Sequence, residues 1–331
     1  MKFKKFVEFL QYFATGTSLS LNTLLVFLVI AKSPKHLGSY RYLMVYIAIF
    51  EIIYSILDVL VSPIIFSHGS IFLAVVSAKD NVLTANKQVL LYLDSIWCGF
   101  FGAFMGVFAL QFIYRYFVVS GSIKIKSFND YRIVFWMSIP VITGAIWGIV
   151  DFYLIGPTNQ TDDAIENFLL SEFDTKIEDI TYIGPYLYQK QVDGTVKIDM
   201  NALIALTIMF VILIFSISFI LISAIKCFIQ LNIFLKVNKS LSRNYSSFQM
   251  QLFYALIVQT TIPLIFMHLP GLILYVCTMF DLNFNLSSFI LTLTIALFPA
   301  LDPLPVMLII KDYRLALSNI VTNPVIKISK T

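Results

Sequence analysis

Charge is scarce in this chain. Asp, Glu, Lys and Arg supply only 13% of its 331 residues, hydrophobic residues supply 59%, and mean hydropathy is +0.85. A soluble domain is usually about one-quarter charged. The deficit excludes a soluble globular protein and makes lipid the solvent for most of the chain. Cysteine and histidine are equally thin, at three each: Cys98, Cys227, Cys277, His36, His68 and His268. No two stand at metal-ligand spacing and no disulfide framework is visible, so neither a metal nor a cofactor is expected. A phosphate-binding loop, a zinc-protease motif and a nucleophile elbow are all missing, and nothing favours an enzyme. The net charge of +4 reads as membrane topology rather than nucleic-acid binding.

What the chain does have is long apolar runs. A bilayer-crossing helix needs roughly 20 apolar residues. Seven segments qualify, at about 9–31, 42–66, 89–117, 133–155, 200–228, 250–279 and 287–310. The expected fold is an all-α integral membrane protein, a seven-transmembrane helix bundle occupying residues 1–317. No repeat in the segment pattern suggests a transporter built from halves. Glu8 and Gln11 interrupt the N-terminal apolar run, which continues to Ile30 without a convincing cleavage site. It reads as an uncleaved first span.

Loop charge sets the expected orientation. The loops after spans one, three and five, with the C-terminal tail, carry fifteen Lys and Arg; the opposite side carries eight. The N-terminus is therefore expected outside and the C-terminus in the cytosol, although Lys2, Lys4 and Lys5 balance Lys32, Lys35 and Arg41 across span one. The loop 156–199 agrees, with nine acidic residues against three lysines and a glycosylation sequon at Asn159. The specific reading of this loop is an extracellular lid with a short hairpin, since Asp193-Gly194 stands between alternating segments; the plainer alternative is an unstructured acidic loop. Sequons at Asn238 and Asn244 fall on the expected cytosolic side and should stay bare.

Lipid should forbid several residues inside these spans: Asn22, Glu51, Asp58, Asp94 and Asp302, with no Lys or Arg to pair them. Counting from the cytosolic ends places Asn22 and Glu51 about 14 Å deep and Asp302 about 12 Å deep, in one layer. A lone charge facing lipid costs roughly 2.5–3.5 kcal/mol, which mutual contact would reduce. Pro299, Pro303 and Pro305 add backbone carbonyls without helical partners. Asn22, Glu51, Asp302 and Pro303 are thus expected to form a polar core: either a switch working through a proton or Na⁺, or a structural hydrogen-bond cluster. Pro263 and Pro270 are candidate hinges in span six.

Toward the outer side, Asp94, Trp97, Phe101 and Met105 follow one another at helical spacing on span three, and His268 lies in the outer half of span six. Together they are candidates for a ligand pocket, or else ordinary bundle core. Gly102 and Gly106 predict close helix packing. At the other end of span three, Arg115 and Tyr116 read as an aromatic-basic anchor at the membrane surface or as a contact for a signalling partner.

Seven spans, an outside N-terminus, this polar layer and an arginine closing span three describe a G-protein-coupled receptor. The motifs "KSPKHLGSYRYLM" (32–44), "QFIYRYF" (111–117), "QLFYALIVQTTIPLIFMHLP" (251–270) and "IALFPALDPLPVMLIIKDYR" (295–314) resemble nematode seven-transmembrane chemoreceptors of the Str class, with Srj as a sibling class. The resemblance covers essentially the whole chain. It implies a sensory-neuron receptor, often ciliary, that binds a small organic odorant and signals through a heterotrimeric G protein. Many Str receptors carry His where this chain has Gln111, so a ligand does not transfer from a relative. Against rhodopsin-like receptors, Tyr114-Arg115-Tyr116 lacks the acidic neighbour, the loop 156–199 lacks cysteine, and span seven lacks lysine.

The function expected is chemosensory reception in an outer-half pocket, at the plasma membrane. The partners expected are a small organic odorant, a heterotrimeric G protein and membrane lipid, with no nucleic acid. Residues 312–331 form the tail, with 312–321 expected as an interfacial amphipathic helix. The rivals are an odorant-gated ion channel subunit of inverted topology and, with less support, a transporter.

Overall fold

A computed structural model describes residues 2–34, 37–79, 81–83, 86–173, 175–191, 194–237, 243–282 and 288–322. Seven helices are long and apolar enough to cross a membrane: Glu8–Lys32, Tyr40–Val61, Lys87–Val119, Ile133–Leu154, Met200–Val237, Tyr245–Met279 and Ile290–Ile309. In element terms span one lies in α1 (Lys2–Lys32), span two is α2 (Tyr40–Val61), span three α3 (Lys87–Val119) and span four α4 (Ile133–Leu154). A short helix α5 (Asn159–Phe173) precedes span five, α6 (Met200–Val237). Span six is α7 (Arg243–Pro263), a π-helical turn at Leu264–His268, and α8 (Leu269–Met279). Span seven is α9 (Ser288–Leu301) and α10 (Pro303–Ile309), followed by α11 (Lys311–Thr322).

Local sequence sets several of these boundaries. Span three starts where the Asn86 side chain accepts the Val89 N–H at 3.1 Å, and span five where Asp199 Oδ1 accepts the Asn201 N–H at 2.9 Å. Span two ends five residues short of the expected 66. Ser62 is left-handed (φ 48°) and Pro63 follows, so the helix closes at Val61. The β-branched Ile64 and Ile65 then enter a strand. Span five runs nine residues past the expected 228, because its apolar face continues through Leu231 and Leu235.

Spans three and four meet backbone to backbone. A Cβ at Gly99 would lie 2.7 Å from the Gly144 carbonyl, one at Gly148 2.8 Å from the Ser95 carbonyl, and one at Gly106 2.9 Å from Pro140 Cα. Any side chain at these positions would push the helices apart.

One end of the bundle is covered by a lid whose three-stranded sheet sequence periodicity did not show. Strands β1 (Ile64–His68), β2 (Ile71–Ser77) and β3 (Ile180–Ile183) form an antiparallel sheet in the order β1-β2-β3. The β2–β3 pairing joins segments more than a hundred residues apart in the chain. Three bonds tie the lid down: Ile65 N–H to Thr292 Oγ1 at 3.1 Å, Gly184 N–H to the Ile155 carbonyl at 2.9 Å, and Tyr188 hydroxyl to the Met279 carbonyl at 2.8 Å. Gly184 crosses β2 so closely that a Cβ there would strike the Phe72 carbonyl oxygen. Helix α5 is fastened by the Tyr182 hydroxyl, which donates to Asp162 Oδ1 at 2.7 Å; burial keeps that phenol above its ordinary range. Strands β4 (Tyr188–Lys190) and β5 (Val196–Ile198) pair as a hairpin. Of the residues expected at its turn, Gly194 has φ 82° and Asp193 lies outside the described residues, as do Asn238 and 323–331.

At the opposite end, α11 packs beside the end of span one. The Ser33 and Tyr313 hydroxyls are 2.7 Å apart, and burial pushes the Tyr313 phenol up to about 12.

Candidate functional site

The polar layer is built on a proline vacancy. Pro303 has no N–H to give the carbonyl four residues back, which belongs to Pro299. Asn22 Nδ2 supplies the missing donor at 2.9 Å, and Ser18 Oγ adds a second at 3.2 Å. Ser18 in turn meets Ser55 Oγ at 2.7 Å, and Ser55 donates to the Glu51 carbonyl at 2.8 Å. Gln259 Nε2 donates to Asp302 Oδ2 at 2.6 Å, while Glu51 Oε1 and Asp302 Oδ1 are buried without a hydrogen-bond partner. Asn22, Glu51 and Asp302 are all buried, at 1% exposure or less. Spans one, two, six and seven therefore share one network. Sequence reasoning missed Ser18, Ser55 and Gln259. Their signal was weak, since hydroxyl and amide side chains are tolerated in membrane helices by bonding their own backbone.

Arg115 lies at the end of the bundle away from the lid, and it is not a surface anchor. It is buried at 1% exposure, and its Nη2 donates to the Gln249 carbonyl of span six at 3.0 Å. Its guanidinium carbon sits 5.7 Å from the Tyr40 ring centre, and Tyr40 stacks on Tyr114 at 5.3 Å. Tyr116 is half-buried against Phe117. With no acid beside it, the arginine uses a backbone carbonyl to bridge spans three and six.

Beneath the lid is a largely apolar cavity of about 50 Å³, bounded by spans three to seven and by Ile65, Phe72 and Ala74 of the sheet. Of the residues expected there, Trp97, Phe101 and His268 line it. Met105 does not, being one turn deeper in the packed core. Asp94 does not either: it is fully buried one turn above Cys98, and neither carboxyl oxygen has a hydrogen-bond partner. The sequence reading did not single out Asp151 of span four, which lines the cavity with one unpartnered oxygen.

A chain of contacts runs from the cavity to the polar layer. Trp97 Nε1 donates to Asp58 Oδ1 at 2.9 Å, and the Trp97 ring stacks on Tyr54 at 6.2 Å. Tyr54 also contacts Phe298 of span seven at 5.4 Å, four residues before Asp302. Asp58, Tyr54 and Glu51 occupy one face of span two, spaced by three and four residues. His268 belongs both to the cavity and to the π-helical turn between Pro263 and Pro270, where the Leu269 N–H reaches back to the Leu264 carbonyl. Pro270 withholds a donor from the preceding turn, a recognised cause of such a bulge. Asn159, the sequon residue, is exposed at the start of α5, while Thr161 is buried.

A seven-helix membrane bundle with a covered cavity at one end and an arginine bridge between spans three and six at the other has the form of a serpentine receptor. The sequence comparisons carry this to a family. Residues 7–318 match the family described as serpentine type 7TM GPCR chemoreceptor Str, and the chain belongs to it. Among its curated relatives, G-protein coupled receptor str-217 of Caenorhabditis elegans is 32% identical over 312 residues, covering 94% of this chain and 89% of that one. Serpentine receptor class r-10 of the same nematode is 28% identical over 309 residues, covering 92% and 88%, and serpentine receptor class J-38 is 21% identical over 312 residues, covering 94% and 92%. The protein is thus a multi-pass membrane protein of a chemoreceptor family.

Proposed function

We propose that the protein is a chemosensory receptor that binds a small organic ligand in the cavity beneath the lid and activates a heterotrimeric G protein at the Arg115 end. In this reading the N-terminus, the lid and the loop 156–199 are extracellular, Asn159 carries glycan, and α11 lies along the cytosolic membrane surface. The excess of Lys and Arg in the loops at the Arg115 end supports that orientation. The plasma membrane, and the cilium of a sensory neuron by family likeness, is its proposed location.

The observation that carries the reading is the double placement of His268, on the cavity wall and on the π-helical turn of span six. A ligand touching that wall biases how span six bends, with Pro263 and Pro270 bounding the hinge. Trp97, Asp58, Tyr54 and the Glu51–Asp302 pair offer a second route, through span two to span seven. Movement of span six at its far end would separate Gln249 from Arg115 and uncover a basic surface for the G protein. This network is one physical path, and the two-state element that makes it a switch is span six.

The test is topology followed by coupling. Tagged termini are stained on intact cells, and glycan at Asn159 is read by mobility after glycosidase. An exposed N-terminus, a hidden C-terminus and glycan at Asn159 are expected, with ligand-dependent nucleotide exchange on a G protein. A hidden N-terminus with an exposed C-terminus would overturn the receptor and favour a channel, read as ligand-gated current.

A further inference from the structure

The cavity's polar groups say what kind of ligand it suits. Its walls are aromatic: Trp97 and Phe101 meet edge-on at 5.5 Å, and Trp147 and Tyr275 meet tilted at 6.5 Å. Two polar side chains on these walls are left incomplete. Asp151 is 2% exposed with Oδ2 unpartnered, and His268 is 4% exposed with Nε2 unpartnered. Asp94, one turn before Cys98 on span three, has both its oxygens orphaned too. Cys98 lines the cavity alongside Asp151, and a thiol is only a weak donor. Among the described residues, no Lys or Arg approaches these acids; the one buried arginine, Arg115, is at the other end of span three.

We propose that this cavity selects a small ligand bearing a basic amine, with the ammonium held by Asp151 and faced by the surrounding aromatic rings. The proposal rests on reading the cavity as the ligand site, and it adds the ligand's chemical class. A hydroxyl could satisfy the free Asp151 oxygen but would bring no counter-charge to that carboxylate. An ammonium supplies both the donors and the charge, and aromatic faces attract cations where they do not attract neutral donors. The rest of the lining is apolar, so the ligand's remainder is a short hydrocarbon. The 50 Å³ volume fits a molecule of a few carbons. Asp94 lies off the cavity wall and does not touch the ligand in this scheme.

The test uses the purified full chain in lipid nanodiscs, with thermal unfolding as the readout and ethylamine, ethanol and propane as probes of one size, small enough for the cavity. Ethylamine is expected to raise the unfolding temperature where the other two do not. Asp151→Asn is expected to raise its half-saturating concentration about 10- to 100-fold, the usual worth of a buried contact to a charged group. Asp94→Asn, at a position off the cavity wall, should have little effect on that concentration. Should Asp151→Asn fail to fold, Asp151→Glu keeps the charge and should retain the preference for amine over alcohol. Equal stabilisation by ethanol, undiminished amine binding in Asp151→Asn, or no effect of ethylamine at any concentration would each overturn the proposal. The readout involves no G protein, so failure here leaves the receptor reading standing, and failure of coupling leaves this test intact.

Discussion

Asn22 of span one donates to the backbone carbonyl of Pro299 in span seven, 2.9 Å away, and that carbonyl is free because Pro303 has no N–H to fill it. One side chain thus repairs a break that a proline makes in another helix. The pair explains why an asparagine is tolerated at the centre of an apolar helix: its amide replaces a bond that lipid cannot supply.

The repair can be measured as a coupling. Asn22→Leu should destabilise the protein by about 1–3 kcal/mol, since Ser18 alone remains on the Pro299 carbonyl. Pro303→Ala restores the helical donor, so Asn22→Leu should cost less in that background. Thermal unfolding of the two single variants and the double variant in nanodiscs gives the interaction energy. Additive effects would mean that the two residues do not share the carbonyl.

Asp302→Ala removes the acceptor of Gln259 from the centre of the polar layer. Ligand-dependent G-protein activation should fall at least tenfold, while surface delivery by antibody staining changes less than twofold, about the sensitivity expected when one buried contact is worth 1.5–3 kcal/mol. Asp302→Asn keeps an acceptor for Gln259 and should fall between. Equal loss of delivery and signalling would make the network purely structural.

Arg115→Ala frees span six from span three at the Gln249 carbonyl. Nucleotide exchange on the G protein should be abolished, while ligand affinity stays within about threefold, because the arginine lies at the end opposite the cavity and makes no contact with it. Arg115→Lys should not restore exchange, since a single ammonium lacks the planar fork that spans the distance. Unchanged exchange in Arg115→Ala would reduce the residue to a packing role.

Much of this was readable without coordinates, for a definite reason. A bilayer has one thickness and offers no hydrogen bonds, so seven runs of apolar residues announced seven helices. The same economy exposed the exceptions. Asn22, Glu51 and Asp302 were conspicuous because lipid penalises them, and residue counting put them at one depth. The π-helical turn was foreshadowed by Pro263 and Pro270, and Gly102 and Gly106 announced a close helix contact, though not that span four would be the partner.

Tertiary structure alone decided the rest. The lid pairs Ala74–Ser77 with Ile180–Ile183, and a pairing across that separation has no local period to betray it. Arg115 found its partner in a backbone carbonyl, which every residue has, so no side-chain pattern pointed to Gln249. Asp151 stood in the last turn of span four, where a charge near the membrane surface is unremarkable; only the folding of span three and the lid around it buried it on a cavity wall. Asp94 and Met105 share a helical face with Trp97 and Phe101 in the sequence, yet the cavity is about one turn deep and reaches neither. The sequence by itself determined how many helices cross and which polar residues need company, because both follow from the solvent. Which residues keep that company depended on helix rotation and depth, and packing alone sets those.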